Sequence, residues 1–61
     1  MRFKIIYRLK ATNKSTPWQD CIRMTFTESE VKYLLNAFRT AIPANEFFAQ
    51  KVINEPTIMN W

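Results

Sequence analysis

Ile22-Arg23-Met24-Thr25-Phe26-Thr27-Glu28-Ser29-Glu30-Val31-Lys32-Tyr33-Leu34-Leu35-Asn36-Ala37-Phe38 is the stretch on which the reading of this chain turns. From Ile22 to Thr27 apolar and polar residues alternate, the period of a half-buried strand. Ile22, Met24 and Phe26 are expected inward; Cys21, Arg23 and Thr25 share the other face. Thr27 and Glu30 have the spacing of a capping box, which starts a helix by satisfying its first free N–H groups. Glu28 and Glu30 complement the helix dipole, and Glu28 and Lys32 stand in the favourable i,i+4 order. Val31, Leu34, Leu35, Phe38 and Ile42 form one apolar stripe. Pro43 disfavours helical geometry at Ile42 and so ends the helix.

Upstream, residues 2–10 alternate as well. Phe3, Ile5, Tyr7 and Leu9 fall on one side; Arg2, Lys4, Arg8 and Lys10 fall on the other, with Ile6 the apolar exception. Residues 11–19 are rich in turn formers and read as a loop. It is too short for a helical crossover, so the flanking strands are expected to pair antiparallel. Downstream, Asn45 is placed to cap a second helix with Phe48, Ala49, Val52 and Ile53 on its apolar face, and Pro56 stops it. The sequence therefore predicts a single α+β domain: two antiparallel β-strands followed by two α-helices packed on one face of the sheet. The boundaries are strand 2–10, loop 11–19, strand 21–27, helix 28–42, helix 45–55 and tail 56–61. The tail, Thr57-Ile58-Met59-Asn60-Trp61, is apolar enough to pack on the domain or on a partner.

A chain of 61 residues buries only roughly 60% of its unfolded surface, and small chains compensate with disulfides, metals or self-association. Cys21 is the only cysteine and histidine is absent, so neither an internal disulfide nor a tetrahedral zinc cage is expected. A homodimer is the remaining expectation. The lone thiol points to a reducing, cytoplasmic setting. Lys4, Arg8 and Lys10 interrupt any leader-like apolar run, and no run approaches a membrane span. Glycine is absent too, which excludes Gly-rich phosphate loops.

No catalytic centre can be assembled from these residues. Without histidine the usual general base near neutral pH is missing. Cys21 has no partner base in the sequence, and each of Glu28, Glu30, Glu46 and Glu55 lies at a helix start or end. No enzyme activity, cofactor or metal site is expected. The charge is more telling. The net +4 is concentrated in residues 1–27, where Arg2, Lys4, Arg8, Lys10, Lys14 and Arg23 face Asp20 alone. A one-sided basic face suits a polyanion or an acidic protein; it also protects a strand from edge-to-edge aggregation. Trp18 and Trp61 fit no buried period and are candidate partner-binding anchors.

With strand 21–27, the Thr27 cap, helix 28–42, the turn at Ile42-Pro43-Ala44 and a capped second helix, residues 21–55 resemble the ribbon-helix-helix DNA-binding proteins. That resemblance implies a dimer whose paired strands enter the major groove. Arg23 and Thr25 would then meet base edges, with Cys21 at the edge of the set and Asn45 and Glu46 beside a phosphate. Such a ribbon fits the groove, and arginine can grip guanine bidentately. The expected function is thus a small dimeric DNA-binding transcriptional regulator. Its candidate nucleic-acid-binding residues are Arg23, Thr25, Arg2, Lys4, Arg8 and Lys10, and its partner is duplex DNA. The alternative is a phage- or plasmid-type inhibitor or adaptor. It would present the basic β-face, the Trp18 loop or the apolar tail to an acidic partner protein.

Overall fold

The computed structural model describes residues 1–10, 17–53 and 56–61. In chain order the elements are β1 (Phe3–Leu9), β2 (Gln19–Asp20), α1 (Glu28–Ala41), β3 (Asn45–Lys51) and β4 (Thr57–Ile58). The strands form one four-stranded sheet in the order β2-β1-β3-β4, with every neighbouring pair antiparallel. The helix covers one face. This corrects the expectation of two strands followed by two helices: the described residues form four strands and one helix.

The first strand spans Phe3–Leu9, within the expected 2–10, and its alternation orders the packing. Phe3 and Ile5 meet Val31 and Leu35 of α1, with Phe47 and Ala49 of β3 alongside. These residues are buried. Each large aliphatic side chain contributes roughly 1.5–3 kcal/mol by leaving water. Tyr7, Phe47 and Phe38 extend the cluster as neighbouring rings, Phe38 stacked on Phe47 with centroids 5.3 Å apart and Tyr7 at 6.2 Å from Phe47.

Segment 21–27 is not the expected strand. The Cys21 N–H donates to the Ile5 carbonyl at 2.9 Å, and Phe26 rejoins β1 through two bonds with Phe3, at 2.9 and 2.7 Å. Between those anchors β1 advances only from Ile5 to Phe3, while the neighbouring chain runs from Cys21 to Phe26. Residues 22–25 therefore bulge off the edge. Met24, expected inward, is 62% exposed, and both residues flanking it are exposed as well.

The helix forms at Glu28–Ala41 with the capping box complete: Glu30 N–H donates to Thr27 Oγ1 at 3.3 Å and Thr27 N–H donates to Glu30 Oε1 at 2.9 Å. Lys32 reaches Glu28 at 3.1 Å. Val31 and Leu35 are buried and Leu34 and Phe38 half-buried, while Ile42, at the C-cap, is exposed.

The expected second helix, 45–55, is replaced by β3 over 45–51; residues 54 and 55 lie outside the described residues, as does 11–16 of the expected loop. The physical reason is two-sided burial. Phe47 and Ala49 point to α1, whereas Phe48 points to the opposite face and meets the Trp18 ring edge-on at 5.5 Å. An apolar run covered on both faces carries no period that separates strand from helix. The open edge of β1 also demands a hydrogen-bonding partner, and aromatic residues suit a pleated surface. β3 supplies that partner along its whole length, from Phe3↔Lys51 to Leu9↔Asn45. The segment 56–61 contains β4 and then packs Met59 and Trp61 against the core.

The cap gives a first test. The backbone N–H of Thr27, and then its hydroxyl, hold the Glu30 carboxyl below the ordinary carboxylate range. A depressed folded pKa stabilises the fold above the unfolded pKa, roughly 4.3, and that contribution disappears as pH falls through the folded value. Thr27→Ala should lower stability by about 1 kcal/mol at neutral pH. Urea titrations across pH 2–7 should show Glu30→Gln removing part of the acid dependence, and Thr27→Ala removing a smaller share of that same part, because the Thr27 backbone N–H still reaches Glu30.

Candidate binding surfaces

The outward face of the sheet was the expected polyanion surface. Its cations lie on β1 at Lys4 and Arg8, flanking Ile6. The register sets Ile6 opposite Asp20 on one side and Phe48 on the other, and sets Arg8 opposite Glu46. Lys4 Nζ lies 3.0 Å from Asp20 Oδ1. Arg8 Nε donates to Glu46 Oε2 at 2.8 Å, and the Arg8 guanidinium lies 4.1 Å from the centroid of the Trp18 ring. Trp18, in turn, packs its edge against Phe48. Ile6 is only 2% exposed although it points away from α1. The face is thus a small second apolar layer roofed by paired charges. Arg8 is the more deeply held cation, with 17% of its side chain exposed against 34% for Lys4.

The remaining sequence-stated site residues are dispersed. Arg2 donates to the Thr25 hydroxyl at 3.1 Å and to the Thr25 carbonyl at 2.6 Å, so it fastens the bulge to the start of β1. Arg23 is exposed on that bulge and has no side-chain partner among the described residues. Lys10 follows β1 at its other end, where its N–H donates to the Ala44 carbonyl at 3.0 Å. Trp61 lies against Phe3, with ring centroids 4.9 Å apart, and the Lys32 ammonium sits 4.7 Å from its ring centroid. The two tryptophans proposed as free anchors both pack on their own chain. Asn45 and Glu46, expected at a helix N-terminus, lie on β3.

Several grooves remain open among the described residues, and two of them bear on binding. One, of about 410 Å³, is lined by Phe26, Ser29, Glu30, Tyr33 and Leu34; Tyr33 on its rim is 74% exposed. The other, of about 310 Å³, lies at the Asn45 end of β3. It is lined by Lys10, Arg39, Asn45, Glu46, Phe47, Phe48 and Trp61. Arg39 was missed in the sequence. It sits in the last turn of α1 and donates through Nε and Nη2 to the Phe47 carbonyl at 3.1 and 2.7 Å. Nη2 also donates to the Trp61 carbonyl. No local pattern announces this, because it depends on where β3 and the tail meet the helix. The double cover of β1, by contrast, left a signal: Ile6 and Phe48 are apolar at outward positions of their strands.

Burial pushes the Cys21 thiol up from its ordinary pKa, so little nucleophilic thiolate is present at neutral pH. No group of three metal-ligating side chains occurs among the described residues. No helix among them is long and apolar enough to cross a membrane. No family model, curated protein or solved structure matches the chain.

The unequal burial of the two β1 cations makes a direct prediction. Lys4→Ala should change stability by less than about 1 kcal/mol, as for an exposed pair. Arg8→Ala removes a charge-assisted bond and a cation–ring contact, and should cost about 1–3 kcal/mol. Chemical denaturation of the two variants beside the parent protein measures the difference; equal losses would contradict the geometry.

Proposed function

We propose that the chain is a small non-catalytic protein-binding module of the inhibitor or adaptor type, and that its partner is an acidic protein surface. One observation carries the choice of a protein over duplex DNA: Lys4 and Arg8 are paired with Asp20 and Glu46, so the centre of the basic face is close to neutral and an acidic partner would meet the cations at its margins. The cations not paired with a side-chain carboxylate among the described residues are Arg2, Lys10, Arg23, Arg39 and Lys51. They are spread around the molecule rather than aligned. Arg2 and Lys51 lie at one end of the β1–β3 ladder and Lys10 at the other.

Duplex DNA binding draws its affinity from several cations reaching successive phosphates. Separated cations beside exposed aromatic and methionine side chains suit the mixed chemistry of a protein interface. Tyr33 and Met24 are the most exposed such residues after Met1. A second reading, duplex DNA binding, is favoured by the exposure of Arg23 and Thr25 on the bulge.

A gel-shift titration separates the two. The protein-binding reading expects no retardation of duplex DNA at about 50 mM salt. Retardation that is strong there and lost by about 200 mM, with Arg23→Ala relaxing the sequence preference, would overturn it in favour of DNA.

A further inference from the structure

We propose that the chain forms a symmetric homodimer through the bulge at 22–25 and the neighbouring face of α1. The Met24 side chain of each copy sits in the other's groove between Phe26, Tyr33 and Leu34, and each Arg23 meets the other copy's Glu30. This goes beyond the reading of the chain as a protein-binding module and stands or falls separately from it.

The groove sets the chemistry of its occupant. Its apolar walls are Phe26, Tyr33 and Leu34, and its remaining walls are Ser29 and Glu30, with no cation among them. Such a site suits an apolar side chain accompanied by a positive charge. The Glu30 carboxylate is free to meet that charge. Its Oε1 accepts both the Thr27 N–H and the Thr27 hydroxyl, at 2.9 and 3.1 Å, while Oε2 engages no described residue. Arg2 attracts this carboxylate weakly, but its own hydrogen bonds go to Thr25.

The chain itself carries the matching pair. Arg23 and Met24 are adjacent and exposed, and neither side chain has a partner among the described residues. Met24 does not line the groove of its own chain, although Thr25 alone separates it from Phe26, which does. Its flexible thioether conforms well to aromatic walls. Knob and groove therefore share one surface that also bears both signs of charge. That is the self-complementarity an isologous two-fold contact requires, in which residue i meets j and j meets i. An acidic protein or a DNA phosphate would instead be set against Glu30, and like charges disfavour that. Tyrosine, methionine and arginine are also the residue types enriched at interfaces. Each copy carries a net +4, which opposes association, so the contact belongs to the weak class that buries less than about 1,200 Å² in total.

Sedimentation velocity of the full chain from about 10 μM to about 1 mM tests the proposal, at about 0.15 M salt to screen the long-range repulsion. The mass should rise from the 7.3 kDa of one chain towards twice that value. Met24→Asp should weaken the dimer by at least about tenfold and Glu30→Gln by about threefold. Leu9→Asp, at an exposed apolar residue at the opposite end of β1 from Phe3, should leave it within about twofold. Mixing ¹³C-labelled with unlabelled chain should give cross-relaxation between the Met24 methyl group of one copy and the Tyr33 ring of the other. A mass that stays at one chain up to the highest concentration would overturn the dimer and leave the protein-binding reading untouched. Equal weakening by Leu9→Asp and Met24→Asp, or contacts between copies that omit Tyr33, would overturn the interface.

Discussion

The central strand β1 is paired along both edges and covered on both faces, and the rest of the structure follows from that position. On one face its Phe3 and Ile5 meet α1; on the other Ile6 stands opposite Phe48 in the register, with Lys4 and Arg8 on either side of it along the strand. A chain this short has little core to share, and a strand buried from both sides extracts more contact per residue than one with a wet face. The cations of β1 become structural as a consequence. Taking Ile6 to 2% exposure requires long flanking side chains to lie over it, and lysine and arginine do this by packing their stems while their heads find carboxylates.

That arrangement moves function to the perimeter. A sheet face whose charges are internally paired presents hydrogen-bonded heads and an occupied aromatic ring, and a docking partner would have to break those contacts to use it. The bulge at 22–25 and the Tyr33 side of α1 are different: the side chains of Arg23 and Tyr33 are exposed there and have no side-chain partner among the described residues. Arg39 is instead a pivot of the frame. It sits in the final turn of α1, where a cation favours the helix dipole. From there it ties together three separate parts of the sequence: the helix, β3 and the tail.

What was legible in the sequence was local. The Thr27–Glu30 box and the Glu28–Lys32 pair act within one turn, so helix α1 could be placed to within a residue at its C-terminus. The alternation of Phe3 through Tyr7 was legible for the same reason, whereas Leu9, expected inward, is exposed at the end of the strand. The segment at 21–27 misled because alternation states which side chains could share a face, while pairing is decided by the distant edge of β1, which accepts Cys21 and Phe26 and excludes the residues between. Residues 45–51 misled because Phe47, Phe48 and Ala49 are apolar in succession, a pattern shared by a doubly covered strand and a short helix. Two outward apolar residues, Ile6 and Phe48, face each other across the ladder, and their coincidence was the one sequence trace of the second layer. The Arg8–Trp18 contact and the reach of Arg39 left no trace, since both depend on register and on chain path.

The claim under all of this is that Arg8 is a half-buried, engaged part of the sheet rather than a free cation. The exchange rate of its Nε–H in ¹H–¹⁵N spectra near neutral pH examines that claim most directly. Donation to Glu46 beside the Trp18 ring should leave the proton slow to exchange, with cross-relaxation to the indole. A signal that exchanges as fast as a solvent-exposed arginine, with no contact to Trp18, would contradict it and return the outward face of the sheet to the solvent.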